Sequence, residues 1–269
     1  MNDIPRTDTV RNDAVRNDAV RTDTVGSTLV VTIDRPRARN AVNAEVARGI
    51  AAAVDRLECG PGLRVGVLTG ADGTFCAGMD LKAAARGEQV SVPGKGFAGL
   101  VEARTAKPLI AAVEGHALGG GFELALACDL VVAAEGARFA LPEVRRGLIA
   151  GGGGVVRLPR RIPHHLAMEL LLTGCTVTAE RARDLGLVNR LVPDGRALPA
   201  ALELAGDIAA NAPLALAAVK RTVQRADGTP EAEAFAAQAD EIGALLRSAD
   251  FAEGVRAFAE KRAPQWSGR

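Results

Sequence analysis

KPLIAAVEGHALGGGFELALACDLVVAAEG, residues 107 to 136, is the stretch that decides the fold. Residues 107 to 115 read as a strand around Ile110 and Val113. Three glycines, Gly119 to Gly121, then lead directly into the apolar run FELALAC, which reads as a helix, and DLVVAAEG, 129 to 136, reads as the next strand. Two apolar strands joined through a helix need a crossover connection, so they are expected to run parallel with helices packed on the sheet.

The same alternation extends toward the N-terminus. LVVTI, Leu29 to Ile33, and LRVGVLTG, 63 to 70, read as strands because β-branched side chains pack well on a pleated sheet. Between them, after the basic loop DRPRARN, Val46, Ile50, Val54 and Leu57 recur at helical spacing, with Asn43 or Asn40 as the cap and Gly60 and Pro61 as the stop. Beyond residue 160 helices dominate. Leu166, Leu170 and Leu171 form a stripe in PHHLAMELLLTG, Thr178 and Glu180 open TAERARDLG, and one short strand, GLVNRLV at 186 to 192, precedes a helical region reaching about residue 261. The fold class is α/β, with a mostly parallel sheet and a helical C-terminal region.

Composition narrows the function classes. A chain of 269 residues, 48% hydrophobic, buries a sizeable core. Its 33 basic and 32 acidic residues nearly cancel, so no global field gathers nucleic acid or an anionic membrane. Cys59, Cys76, Cys128 and Cys175 form no CxxC pair and lack a zinc-ligand pattern, which favours reduced thiols and no metal. With no apolar leader and no apolar run of membrane-spanning length, cytoplasmic residence without membrane insertion is the default expectation. At the N-terminus RNDAV, 11 to 15, recurs at 16 to 20 and is followed by RTDTV at 21 to 25. This five-residue period matches neither helix nor strand and is too polar to bury a face, so residues 1 to 18 are expected to be a disordered extension.

Two glycine-bearing loops carry candidate chemistry, FCAGMDL at 75 to 81 and HALGGGFE at 116 to 123. Glycine lets main chain approach a ligand, and the first amides of a helix lack intrahelical acceptors. One inward amide from each loop would make an oxyanion hole, although glycines in such loops equally serve sharp turns and close packing. Glu123 opens the apolar helix, and Glu143 follows Pro142 in FALPEVRRGLIAGGGG. Their plainer readings are a helix N-terminal charge for Glu123 and an ion pair with Arg145 or Arg146 for Glu143. His116 is read as peripheral, His164 and His165 as cap or surface residues, and Cys76 has no histidine partner to make it a nucleophile. G-x-S-x-G, G-x-G-x-x-G and Walker A patterns are absent.

Taken in order, IDRPRARNAVN, TFCAGMDLK, the 107 to 154 stretch and AMELLLTG with TAERARDLGLVNRLV resemble successive signatures of the enoyl-CoA hydratase/isomerase (crotonase) superfamily, over about residues 25 to 262. The resemblance implies a crotonase-like core of repeated ββα units at 19 to 199 and a helical region at 200 to 269 for pocket covering and oligomerisation, in trimers or hexamers. It places the thioester oxygen on the amides of Met79 and Gly120 and makes Glu123 and Glu143 the acid/base pair. Arg35, Arg37, Ala38, Arg39, Asp80, Leu81 and Lys82 fall near coenzyme A, which is part of the substrate, so no cofactor is implied. Retention of both glutamates favours a hydratase acting on a trans-2-enoyl-CoA in fatty acid metabolism. A Δ3-Δ2 enoyl-CoA isomerase and a non-catalytic acyl-CoA-binding oligomer are the alternatives.

Overall fold

The structure, a computed structural model, describes residues 18–269. The chain opens with a hairpin, β1 (Val20–Val25) and β2 (Thr28–Ile33), paired antiparallel so that Val20 faces Ile33. The expectation that RTDTV buries no face is corrected here: Val20 and Thr22 are buried and the segment is the edge strand of the main sheet. Alternation of Val20, Thr22 and Thr24 with Arg21 and Asp23 supplies a strand period that the five-residue repeat conceals. The expected disordered extension falls on residues 1–17, outside the described residues, apart from Asp18.

After a short 3-10 turn (Pro36–Ala38), α1 (Ala44–Cys59) starts on Asn43, whose side chain accepts from the Val46 N–H, and stops at Gly60. Asn40 is no cap: it is fully buried and its Nδ2 donates to the carbonyls of Ala71 and Thr74. β3 (Val65–Gly70) follows, then α2 (Leu81–Ala85) and a two-residue hairpin, β4 (Ser91–Val92) with β5 (Gly96–Phe97). The deciding stretch becomes β6 (Leu109–Val113), β7 (His116–Leu118), α3 (Gly120–Ala127), β8 (Leu130–Ala134) and β9 (Arg138–Ala140). Strands β2, β3, β6, β8 and a later β11 (Arg190–Val192) are parallel neighbours in that order.

The repeating unit is a long strand, a short strand turned into a second sheet, and a helix. β7 and β9 pair there in parallel, and the lone bridge Cys76 to Ala117 marks the matching short segment after β3. The sheet is completed by β10 (Val177–Thr178), which lies between α4 (Gly154–Arg161) with α5 (His164–Thr173) on one side and α6 (Ala179–Asp184) on the other in chain order. Thr178 caps α6, its hydroxyl accepting from the Arg181 N–H, as its sequence position suggests.

Side chains alternate between the faces of the main sheet. Ala111, Val113, Val131 and Ala133 point into the larger core with α1 and α3, while Val65, Val67, Ile110, Ala112 and Val132 form the opposite face. That second face is covered by α7 (Ala197–Ala209) through Ala197, Ala200, Ala201 and Ala205, so the expected border at 199/200 falls inside a helix that belongs to the sandwich. Only α8 (Pro213–Ala226), α9 (Glu231–Leu246) and α10 (Ala249–Ala259) stand beyond it. Lys220 staples α8 to the core, with Nζ 2.6 Å from both Thr105 Oγ1 and Asp129 Oδ2. No single helix among the described residues is long and apolar enough to cross a membrane.

Candidate active site

Because α3 is apolar on every side it is buried on every side, from Gly120 to Leu126. Glu123 goes in with it and is only 3% exposed. A carboxylate this deep needs donors. Oε1 accepts from the Gly154 N–H at 2.9 Å, and the nearby Gly152 N–H also favours the charged carboxyl, so the start of α4 is the partner of Glu123. Burial outweighs these amides and, with the nearby charge of Glu143, pushes the Glu123 carboxyl up to about 7. Phe122, next to it, tilts against Phe139 of β9 at 5.2 Å and fixes the rotation of α3 on the second sheet.

Glu143 sits in the 3-10 turn Pro142–Arg146 that follows β9. Its Oε2 is buried without a hydrogen-bond partner, a position in which charge is costly. Burial raises this carboxyl as well, against its own main-chain N–H and Arg146. Arg145 donates to the Thr173 carbonyl and Arg146 to that of Pro142, and among the described residues neither is in ion-pair contact with Glu143. Glu123 does stand in the first turn of α3, as its plainer reading has it, but buried, whereas the ion pair suggested for Glu143 does not form among the described residues.

The two glycine loops meet beside these carboxylates. Gly78 (φ +91°) lies so close to the second loop that a Cβ on it would stand 3.1 Å from the Gly120 nitrogen. Gly119, at φ 55° and ψ −125°, takes a conformation open to glycine alone, and a Cβ there would meet Glu143 Oε1 at 3.0 Å. Gly119 thus brings the Gly120 amide and Glu143 together. Gly120 is the first residue of α3, where an N–H has no intrahelical acceptor. In the first loop the Ala77 N–H goes to Arg39 O, that of Gly78 to Cys76 Sγ and that of Asp80 to Val42 O. The Met79 N–H is the one left in this run without an acceptor among the described residues.

The remaining sequence candidates divide by exposure. Arg35 and Asp80 are spent on each other at 3.1 Å, and Asp80 also caps α2 through the Lys82 and Ala83 amides. Burial opposes ionisation of Asp80, yet the Ala83 amide and Arg35 hold its carboxyl below the ordinary range. The pair braces the Met79 loop. Asp80→Ala is expected to cost about 1–2 kcal/mol, since it removes a cap and strands Arg35, and urea unfolding measures it. Arg37, Arg39, Leu81 and Lys82 are exposed along the same rim, with Ala38 half-buried between the two arginines. Cys76 is buried and its thiol is pushed up to about 12, far from a nucleophile. His116 is exposed, as are His164 and His165 at the start of α5. Sequence reasoning noted the glycines at 151 to 154 only as flanks of Glu143 and missed that they bind Glu123.

A ββα repeat that sets two unspent amides near one buried and one half-buried carboxylate is the arrangement of the crotonase superfamily. Residues 23–269 match the family model described as Enoyl-CoA hydratase/isomerase, and the chain belongs to that family. It is 46% identical over 255 residues to a protein named Enoyl-CoA hydratase EchA19 of Mycobacterium tuberculosis, covering 91% of this chain and 94% of the relative. It is 42% identical to a Carnitinyl-CoA dehydratase of Proteus mirabilis, over 91% of this chain and 96% of that protein. A solved structure described as enoyl-CoA hydratase EchA1 from Mycobacterium marinum superposes with a TM-score of 0.92 at 55% identity, over 94% of this chain and all of the other.

Proposed function

We propose that the protein is an enoyl-CoA hydratase, adding water reversibly across the C2=C3 bond of a trans-2-enoyl-CoA to give a 3-hydroxyacyl-CoA. The carrying observation is the pair of carboxylates, Glu123 buried and Glu143 half-buried with its Oε2 out of solvent, gathered around the Gly119–Gly120 main chain. The thioester oxygen binds the Met79 and Gly120 amides, which draws electrons from C3. Glu123 takes a proton from water while the water oxygen bonds C3, and the C2=C3 pair shifts to make a thioester enolate. Glu143 gives its proton to C2 as the enolate collapses, and Glu123 returns its proton to Glu143, so that one water is added in all. Burial raises both carboxyls, and the charge of Glu143 raises that of Glu123 further, so each holds its proton longer than an exposed glutamate does. An oxyanion donor supplies about 3 kcal/mol, and a positioned acid or base on the order of 10² to 10⁴ in rate.

Dehydration of a 3-hydroxyacyl-CoA is the same path reversed. Exposed Arg37, Arg39 and Lys82 form the rim that receives the phosphates of coenzyme A, with Arg35 and Asp80 shaping the loop beneath them. The enzyme works in fatty acid metabolism in the cytoplasm, as a trimer or a pair of trimers. Its contact surface includes the apolar groove of about 450 Å³ lined by Leu214, Leu245, Phe251, Val255, Phe258 and Trp266. The test is a screen of trans-2-enoyl-CoA and 3-enoyl-CoA thioesters with product mass as readout. Gain of one water from the 2-enoyl substrates is expected. Moved unsaturation at constant mass would make the protein an isomerase, and binding without turnover would leave an acyl-CoA-binding oligomer.

A further inference from the structure

We propose that Arg157 is the positioning residue for Glu123, clamping the Gly152–Gly154 turn onto the carboxylate and standing as the cation that faces it. The proposal rests on the acid/base reading of Glu123 given above. Arg157 lies in the first turn of α4 and is half-buried. Its Nη1 donates to the Gly152 carbonyl at 3.4 Å and its Nη2 donates a short bond to the carbonyl of buried Val101. Gly153, at φ +105°, wraps the guanidinium so closely that a Cβ there would stand 2.1 Å from Nη1. Gly152 therefore sits between the two, its carbonyl on Arg157 and its α-carbon against the Glu123 carboxyl. Two residues further, the Gly154 N–H holds Glu123 Oε1 at 2.9 Å. If the guanidinium withdraws, the turn that carries both amides loses its tie to the Val101 loop.

The charge matters as much as the clamp. Among the described residues Arg157 forms no ion pair within 4 Å, and both of its hydrogen bonds end on neutral carbonyls. The groups that face it are Glu123 from α3, Glu102 from the loop before β6, Arg161 from its own helix and the neutral, buried thiol of Cys128 at the end of α3. Glu123 in turn faces Arg157 and Glu143. Burial pulls the Arg157 pKa down, but a guanidinium stays charged in proteins, so its field falls on Glu123 and opposes the burial that raises that carboxyl. A residue whose contacts and charge did not reach the Gly152–Gly154 turn or Glu123 would leave the proton affinity of Glu123 untouched.

The experiment follows the Glu123 carboxylic C=O band by infrared titration in the full-length protein, the band being assigned by its loss in Glu123→Gln. Arg157→Gln is expected to move that titration upward by about one unit, the usual reach of a near charge. Its kcat for hydration falls by about tenfold or more with KM little changed, since a misplaced catalytic group acts on kcat. Arg157→Lys, which keeps the charge but reaches only one carbonyl, gives a smaller upward shift. A Glu123 titration that stays put in Arg157→Gln overturns the proposal whatever happens to turnover. If Arg157→Gln gives no cooperative melt, the titration in Arg157→Lys decides alone, displaced in favour or unmoved against. Absence of hydration by the wild-type protein would strike at the functional reading instead, and the infrared titration would still test the link between Arg157 and Glu123.

Discussion

Glu123→Gln is expected to lower hydration by on the order of 10² to 10⁴ while making the folded protein more stable above neutral pH. Both effects come from one fact, that this carboxyl is buried in an apolar helix with its folded-state pKa raised from 4.5 to about 7. A raised pKa means that the folded state binds the proton more tightly than the unfolded one. Its contribution to stability is therefore complete below about pH 4.5 and is lost as pH rises through about 7. Over that interval the folded state gives up about 3 kcal/mol, at 1.36 kcal/mol per unit. Glutamine carries no such cost. It keeps an oxygen for the Gly154 N–H but turns an NH₂ group toward the Gly152 N–H that favoured the carboxylate, and this donor-to-donor approach returns about 1 kcal/mol of the gain. Urea unfolding should show the variant near wild type at pH 5 and more stable by about 2 kcal/mol at pH 8. Acyl-CoA affinity should change little, because Glu123 touches neither the Met79 nor the Gly120 amide. Near-normal turnover, or a stability difference independent of pH, would contradict the role and the environment respectively.

Much of this site was legible in the residues because it is built on the strongest local patterns in the chain. Val, Ile and Leu runs mark β2, β3, β6 and β8, and triple glycine followed by an apolar run marks the turn into α3. The short strands were not legible. HAL and RFA are three residues each and take their stability from pairing with one another, 22 positions apart, in the register His116 to Arg138. The edge strand β1 was obscured by a repeat whose polar composition suggested no buried face, although Thr22 is buried and Arg56 reaches Thr22 and Thr24 from α1. At the site, Glu123 and Glu143 were recognisable from their own settings, whereas the Gly154 donor was not, since it joins Glu123 across 31 residues. Arg157 escaped notice for the same reason, its Val101 contact spanning 56. A residue's own chemistry is local, but what tunes it arrives through the fold.

Gly121→Ala is expected to disable the enzyme without touching any reacting group. The Cβ would stand 2.1 Å from the Cys76 carbonyl oxygen and 2.8 Å from its carbon, both main-chain atoms with no rotamer to yield. Gly120→Ala is a milder insult, because its Cβ meets the ring of Phe97, a side chain that can turn away. At Gly121 the two loops themselves must part. Cys76 is held in turn, its N–H donating to His116 O and its carbonyl accepting from the Leu118 N–H, so a shift there pulls on β7 and on both amides of the proposed oxyanion hole. Overpacking of this kind costs about 1–3 kcal/mol, and an ångström of misplacement at a reacting centre costs about a hundredfold in rate. The expected outcome is a folded but less stable protein whose kcat falls by about two orders of magnitude, more than in Gly120→Ala. The comparison is informative because Glu123 and Glu143 are intact in both variants. If Gly121→Ala turned over at the wild-type rate, the close approach of the loops would be mere packing, and the Met79 and Gly120 amides would not be the groups that hold the substrate oxygen.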